Sequence, residues 1–450
     1  MLTAEAVGDL KSQLAGALLM PTDSEYDVAR RVWNGMIDKR PALIARCTGS
    51  QDVVACINFA RDRNVLISVR GGGHNFAGKA ACDGGLMIDL SPMKGIEVDP
   101  TRRTARAETG LKLGEFDRAT QIHGLVTPLG IATTTGIGGL TLGGGYGWLV
   151  GRYGLSCDNV NSVEIVTADG KILECSAQQN ADLFWGLRGA GANLGIATRI
   201  EYRLHPLTTV YGGPLFHRLS AEVMRFYDEF SRNIPDDLTT LGAATIGPDG
   251  KPAFVTAVCY CGSPREGEKL VKPLRNFATP LVDMIQQRPY LEMQSLFDAD
   301  LPPGRRYYNK THSVREFNEG TIETVLRCTA TMSPYPSMIG FQQLHGAASR
   351  FASNATAYPH RFPHHVVWIS PVQDDPSKDD AMVRWTRDCW QALSPYVDQT
   401  VYVNALDDGA EEGELRVRQA YGPNYDRLKT LKRKYDPTNL FRQNSNIKPD

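Results

Sequence analysis

Net charge is the first thing this chain lacks. Its 49 lysines and arginines almost cancel 50 aspartates and glutamates, leaving −1. With no basic stripe evident, nucleic acid is not an expected partner, because phosphate binding needs clustered cations. No apolar run approaches the ~20 residues that cross a bilayer, so no membrane partner is expected either. A basic-then-apolar leader is missing from the start. Leu10, Leu14, Ala17 and Leu18 recur there at helical spacing, with Asp9 and Lys11 between them. The nine cysteines are odd in number and follow no framework spacing. That pattern predicts reduced thiols and a cytoplasmic location. There is no Gly-x-Ser-x-Gly elbow for a hydrolase, no internal repeat and no low-complexity segment. His360, His364 and His365 lie close together, but Pro363 disrupts helical i, i+4 geometry and no cysteine or acidic partner stands at ligand spacing. No metal site is expected.

The most informative absence is local. From Ala119 to Gly151 there is no Asp, Glu, Lys or Arg, and the stretch contains Gly136-Ile137-Gly138-Gly139 and Gly143-Gly144-Gly145-Tyr146-Gly147. A long uncharged glycine tract inside a polar chain fits backbone lying against a large flat ligand. Some sixty residues earlier, Arg70-Gly71-Gly72-Gly73-His74-Asn75 follows Val65-Leu66-Ile67-Ser68-Val69, which reads as a buried strand. Glycines leaving a strand allow a tight turn whose successive N–H groups cradle an anion, most often phosphate. By itself such a run is equally a plain turn, and His74 a histidine capping it. Cradle and flat wall together predict a dinucleotide cofactor. Gly189-Ala190-Gly191 with Gly195 resembles a Rossmann fingerprint, but the spacing is wrong and the strand follows it instead of preceding it, so NAD is not expected.

At 450 residues the chain exceeds a single core. Residues 40 to 205 alternate helix and strand signals. Ser50 is placed to cap a helix through Val53, Val54, Ile57 and Ala60. Strands are expected near Leu86–Leu90, Thr104–Glu108 and Val163–Thr167, with a helix near Leu113–His123 and a turn at Asp169-Gly170. Ile196, Thr198, Ile200, Tyr202 and Leu204 alternate with partly charged positions as in a half-buried strand, which His205-Pro206 ends. Beyond it, strands such as Phe254–Cys261 alternate with helices such as Glu319–Arg327. From Asp407 the chain is charged and helical until Asp436-Pro437.

Five segments also match one known family: Arg70 to Asn75, Thr135 to Gly145, Tyr153-Gly154-Leu155-Ser156-Cys157-Asp158-Asn159, Asp182-Leu183-Phe184-Trp185-Gly186-Leu187-Arg188-Gly189, and Tyr435-Asp436-Pro437-Thr438-Asn439-Leu440-Phe441. The chain resembles bacterial FAD-linked oxidases of the berberine-bridge-enzyme-like group, within the vanillyl-alcohol-oxidase type of flavoprotein. Arg40-Pro41-Ala42-Leu43-Ile44-Ala45-Arg46-Cys47 is similar as well. The resemblance runs from about residue 20 onward, with specific motifs up to residue 205 and beyond residue 400. It implies an α+β fold with a two-part FAD-binding domain and a substrate domain of antiparallel sheet and helices. The expected divisions are 1–205 for FAD, 206–404 for substrate, and 405–450 as a segment returning to the FAD domain.

The resemblance further implies that FAD is held by Arg70, Gly71, Gly72, Gly73, His74, Asn75, Gly136, Gly138, Gly139, the Ile196 backbone, Asn404 and Asn444. His74 would bond covalently to the C8 methyl carbon of the flavin ring. Some relatives carry a second attachment through a cysteine shortly before the Gly-Ile-Gly-Gly element. Ala132 stands at the matching position, so one linkage is expected and Cys157, like Cys259 and Cys261, reads as core.

Tyr402 and Asn404 match a Tyr-x-Asn element near the active site of many relatives and would share one face of a strand. A tyrosine, with its pKa near ~10, is a poor base at neutral pH. A neighbouring cation or second tyrosine would lower it, and hydride loss acidifies the substrate proton. A buried tyrosine with a satisfied hydroxyl has the same appearance. Tyr308, Lys310 and His312 alternate onto one strand face, either toward the pocket or into core and surface. The expected activity is an FAD-dependent oxidase moving a hydride from a C–OH or C–N carbon of a small organic substrate to flavin N5, with oxygen reduced to hydrogen peroxide. The alternatives are a flavin monooxygenase, a dehydrogenase with another acceptor, and a flavoprotein that sequesters a ligand without turnover.

Overall fold

Runs of consecutive apolar residues form the first sheet. The computed structural model describes residues 3–334, 336–398, 400–406 and 409–450, with backbone only for 409–412. Four strands pair in the order Ala17–Leu19, Leu43–Arg46, Leu86–Asp89 and Ile67–Arg70, the last three parallel. Leu43, Ile44, Ala45, Leu86, Met87 and Ile88 are all buried, as strands covered on both faces require. Helix Ser50–Arg63 makes one crossover. Its cap differs from the expected one: Gly49 is the N-cap, and Ser50 instead donates its hydroxyl to Glu164 at 2.5 Å. Asp52 fastens the helix start by accepting from the N–H groups of Ala15, Gly16 and Thr48.

The second sheet is antiparallel, in the order Ile96–Asp99, Thr104–Glu108, Ile196–Arg203, Val160–Val166 and Ile172–Ser176. Thr104–Glu108 falls where expected. In Ile196–Arg203 the alternating Ile196, Thr198, Ile200 and Tyr202 are buried, while Arg203 is exposed. Helices Gly409–Tyr421 and Tyr425–Tyr435 return to this part, and Leu428 and Leu431 join the core of Leu187 and Leu194. The expectation about Asp407 lies outside the described residues. At the end of the second helix, Lys432 and Asp436 form a fully buried ion pair at 2.7 Å. Lys432 also donates to the carbonyls of Asn193 and Phe441, and Asp436 accepts from the N–H groups of Leu440 and Phe441. A buried pair survives desolvation only when satisfied on all sides in this way.

Between these parts the chain builds an eight-stranded antiparallel sheet. Its path is Val282–Asp283, Thr209–Arg218, Pro252–Tyr260, Leu238–Ile246, Met338–Leu344, His364–Ser370 and Lys310–Val314, with Gln286–Pro289 paired to Thr209–Arg218. Register decides what each face does. Trp368 stands opposite Gly340 and Ser370 opposite Met338, so these four share a face. On the other face Ile339, Phe341, Val367 and Ile369 pack beneath helices Ala221–Arg232, Glu319–Thr329 and Asp379–Leu393.

Lys310 and His312 pair with Ile369 and Val367 and therefore point to the helices, away from the pocket that their alternation left open. His312 stacks on Trp390 and Lys310 lies over the same ring. Cys328 and Cys389, on two of these facing helices, are joined by a disulfide, which corrects the expectation that all nine cysteines are free. Among the described residues no helix is long and apolar enough to cross a membrane.

Candidate functional site

The glycine loops of the first part and the open face of the eight-stranded sheet enclose a cavity of about 410 Å³. Strand Ile67–Arg70 delivers Gly71–Asn75 to its edge. The N–H groups of Gly71, Gly72, Gly73, His74 and Asn75 make no hydrogen bond among the described residues. Backbone donors left free in a concave turn are what an anion such as a pyrophosphate requires. A Cβ on Gly72 would fall onto the backbone nitrogen of Gly136, and a Cβ on Gly136 onto that of Gly72. The two glycine elements therefore lie backbone to backbone and can approach only as glycines.

Of the cofactor residues expected from sequence, Gly71, Gly72, Gly73, His74, Asn75, Gly136, Gly138, Gly139, Ile196, Asn404 and Asn444 all border this cavity. Arg70 does not. It lies beside Asp89 on the neighbouring parallel strand and makes a bidentate pair with it at 2.9 and 2.6 Å, while donating to the carbonyls of Ala29 and Arg31. The flat wall is also shorter than expected. Gly139 faces open space, but Gly144 packs on the Tyr358 ring, Gly145 on Ser156 and Gly147 on the Leu129 carbonyl. Those later glycines serve protein packing.

His74 is half-buried, its open side toward the cavity. Burial, helped by the charge of Lys112, pushes its pKa down to about 3, so the ring is neutral. Nε2 lies 2.7 Å from Thr134 Oγ1, and Nδ1 lies 3.5 Å from Thr135 Oγ1. Trp33 stacks on the imidazole at 4.5 Å, and Tyr307 of the sheet region stacks on Trp33 at 3.7 Å. Neither Trp33 nor Thr134 stood out in the sequence. The run Thr133-Thr134-Thr135 was the available signal for the second.

Tyr402 is not on a strand. It is extended and caps the single 3₁₀ turn Val403–Ala405, which nonetheless brings its hydroxyl against Asn404. The phenol oxygen accepts from Asn404 Nδ2 at 2.9 Å and Gly145 N–H at 3.2 Å, and Asn404 also donates to the Leu140 carbonyl. Burial raises the Tyr402 pKa above its ordinary value despite these two donors. A second tyrosine, Tyr146, does stand beside Tyr402, edge-on at 4.6 Å, but its hydroxyl is paired with that of Tyr358. Asn444 donates to the carbonyls of Ala192 and Phe441. Cys157 is fully buried beside the Asp158–Arg361 pair and does not border the cavity, whereas Ala132 does. His360, His364 and His365 are buried and held neutral by desolvation. No group of three potential metal ligands occurs among the described residues.

The anion cradle, the histidine beside it and the open wall at Gly139 fit a dinucleotide with a reactive ring. Comparison with known proteins points the same way. The FAD binding domain profile matches residues 41–176, and the berberine and berberine-like profile matches 401–448. Over 99% of its length the chain is 32% identical to an FAD-linked oxidoreductase of Dictyostelium discoideum, spanning 97% of that relative. It is 29% identical to (R)-6-hydroxynicotine oxidase of Paenarthrobacter nicotinovorans, over 97% of each chain. The crystal structure of 6-hydroxy-D-nicotine oxidase from Arthrobacter nicotinovorans superimposes with a TM-score of 0.87 at 27% identity, covering 97% of this chain and 98% of that one. A chitooligosaccharide oxidase at 23% identity shares the fold, with a TM-score of 0.87 over 99% and 100% of the two chains.

Proposed function

This chain belongs to the berberine-bridge-enzyme-like family of FAD-linked oxidoreductases, and on that premise we propose that it holds one FAD covalently through His74 and oxidises a C–OH or C–N carbon of a small organic molecule. The observation that carries the proposal is the meeting of two groups on one cavity: a neutral, half-buried imidazole at the end of an anion cradle, and a phenol oxygen already accepting two N–H bonds. FAD, when bound, supplies the redox chemistry, taking a hydride at N5 and passing the electrons to dioxygen to give hydrogen peroxide.

The protein's own groups bind, orient and move a proton. The free N–H groups of Gly71 to Asn75 hold the pyrophosphate. His74 would hold the flavin through its C8 methyl carbon, and Ala132 would offer no second attachment. Tyr402 orients the substrate O–H or N–H and receives its proton in the phenolate form, which the Asn404 and Gly145 donors stabilise. Residues 1–205 and 405–450 then serve the cofactor and 206–404 the substrate.

The test is direct. The purified protein should be yellow, acid precipitation should leave the flavin with the polypeptide, and a panel of alcohols and amines should bleach it without oxygen. Admitting oxygen should restore the colour and yield one peroxide per turnover. A colourless protein, or flavin wholly released by acid, overturns the covalent reading. Bleaching that oxygen fails to reverse overturns the oxidase.

A further inference from the structure

We propose that Trp33 is a positioning residue for covalent flavin attachment: its indole fixes the plane of the His74 imidazole, and segment 301–307 of the sheet region holds the indole in place. The inference rests on the covalent reading above and adds the device that makes His74 ready to react. Attachment forms one C–N bond between a His74 ring nitrogen and the C8 methyl carbon. It breaks one methyl C–H bond and the imidazole N–H bond. The two protons and two electrons released go to dioxygen, giving hydrogen peroxide.

A nitrogen lone pair lies in the plane of its ring, so attack requires that plane to be aimed at the methyl carbon. The histidine torsion that sets the plane, χ2, is intrinsically broad. The Thr134 contact restrains it weakly, because Nε2 sits at the far end of the ring near the rotation axis, and Nδ1 has only the 3.5 Å approach of Thr135. A flat surface against the ring face restrains it directly. Trp33 provides one, with ring centres 4.5 Å apart and planes inclined by 21°. The indole is itself wedged. Tyr307 stacks on it at 3.7 Å, Phe76 meets it edge-on at 5.3 Å, and its Nε1–H donates to the Leu301 carbonyl at 3.1 Å. Two rings that close cannot share one face, so His74 and Tyr307 flank the indole. Main-chain bonds lock the same strap. Trp33 N–H donates to the carbonyl of Gly73, next to His74, and the Trp33 carbonyl accepts from Gly304 N–H. Asn34, 2% exposed, donates to the carbonyls of Phe76 and Tyr307 and accepts from Tyr307 N–H. A buried polar group with these bonds made holds its neighbours in one geometry. The strap is thus tied at once to the cradle around His74 and to the sheet region.

The experiment gives FAD in air to the full-length protein produced under riboflavin limitation, and follows acid-stable flavin against time. Trp33→Phe, which keeps a flat face, should attach flavin within about threefold of the wild-type rate. Trp33→Leu, which keeps an apolar side chain without the face, should be at least tenfold slower, since misplacing a reacting group by ~1 Å costs up to ~10²-fold. Non-covalent affinity should not follow the rate. Combined with His74→Ala, Trp33→Leu should bind FAD within about threefold of His74→Ala alone, read by quenching of flavin fluorescence. Tyr307→Leu should slow attachment about threefold or more, the scale of one stacked ring pair, and Tyr307→Phe should not. These two variants test the same stack if Trp33→Leu does not fold. The proposal is overturned if Trp33→Leu matches the wild-type rate, if Trp33→Phe is as slow as Trp33→Leu, or if FAD affinity falls in step with the rate. It is also overturned if Tyr307→Leu is as fast as Tyr307→Phe. Wild-type protein that forms no acid-stable flavin refutes the covalent reading and the inference with it, whereas equal attachment by wild type and variants refutes the inference alone.

Discussion

Thr134 Oγ1 lies 2.7 Å from Nε2 of His74, while Nδ1 has only the longer 3.5 Å approach of Thr135. The partner of one imidazole nitrogen decides which nitrogen keeps its lone pair. In the tautomer that carries its proton on Nε2, with Thr134 accepting it, Nδ1 is the nitrogen free to form a bond. Thr134→Val should therefore slow covalent attachment at least tenfold while non-covalent FAD still binds, and Thr134→Ser should restore it. His74→Ala should hold no acid-stable flavin. The measurement is flavin absorbance in the acid pellet after timed incubation of apoprotein with FAD. A proteolytic digest should place the flavin on the peptide containing His74 and not on that containing Cys157.

The glycine tract can be divided by substitution. Gly139→Val puts a side chain into open space at the cavity edge, so flavin content should fall severalfold with the fold intact. Gly144→Val meets the Tyr358 ring at a φ of +115°, and Gly138→Val meets Thr109, so both should destabilise the protein directly. Thermal unfolding beside flavin content separates the two outcomes. Equal flavin loss with unchanged melting in all three would mean that the whole tract lines the cofactor.

Tyr402→Phe should slow anaerobic flavin reduction by ~10²-fold or more, the usual scale of a lost general base, and leave reoxidation nearly unchanged. It should also cost about 1–3 kcal/mol of stability, because Asn404 and the Gly145 N–H both lose their acceptor. Since burial raises the Tyr402 pKa, the phenol is protonated at neutrality, and the wild-type reduction rate should climb with pH through the range above 7. The variant should lack that climb. Stopped-flow reduction at several pH values checks both, and parallel profiles would make Tyr402 a structural residue.

Asp117 gives a pH signature of its own. It is completely buried on helix Leu113–Gln121 and neither carboxyl oxygen has a hydrogen-bond partner among the described residues. The nearby Gln294 amide donates to the Gly130 carbonyl instead. Burial pushes the Asp117 carboxyl up to about 8 from an ordinary 3.8. Between those values the folded protein binds more protons than the unfolded chain, so stability from this group falls as pH rises toward 8 and levels off above it. Asp117→Asn should be more stable than the wild type by about 1–3 kcal/mol at pH 8.5, with the difference shrinking toward pH 5. Melting curves across that range decide it, and a constant difference would show that Asp117 does not titrate there.

Local signals were legible in the sequence and long-range ones were not. The cradle, the glycine element and His74 could be read because each is a contiguous motif whose geometry is set by neighbouring residues. Thr104–Glu108 and Ile196–Arg203 were legible because alternation reports a half-buried strand directly. Alternation says which residues share a face but not which face meets the cavity, so Lys310 and His312 stayed ambiguous until register placed them on the helix side. Arg70 turns from the cavity to Asp89 on the adjacent parallel strand, a pairing no local pattern reveals. Trp33 and Trp368 reach the site from opposite ends of the chain. Tyr402 was placed on a strand, whereas its actual turn brings the phenol to Asn404 by another route.

The closing turn after the buried Lys432–Asp436 pair has a consequence for the protein's biosynthesis. Gln443 donates to the Ala81 carbonyl and Lys79 to Ser445, joining positions 362 and 366 residues apart, and Phe441, Gln443, Asn444 and Ser445 border the same cavity as Gly71 to Asn75. A ribosome delivers the cradle long before the residues that close it. The last wall of the nucleotide's enclosure is thus missing throughout most of translation, and FAD is expected to be captured by a nearly finished polypeptide and not by a nascent one. A nascent chain stalled before residue 436 should accordingly emerge without bound flavin, and the availability of FAD in the cell would act on the yield of folded protein only at that last moment.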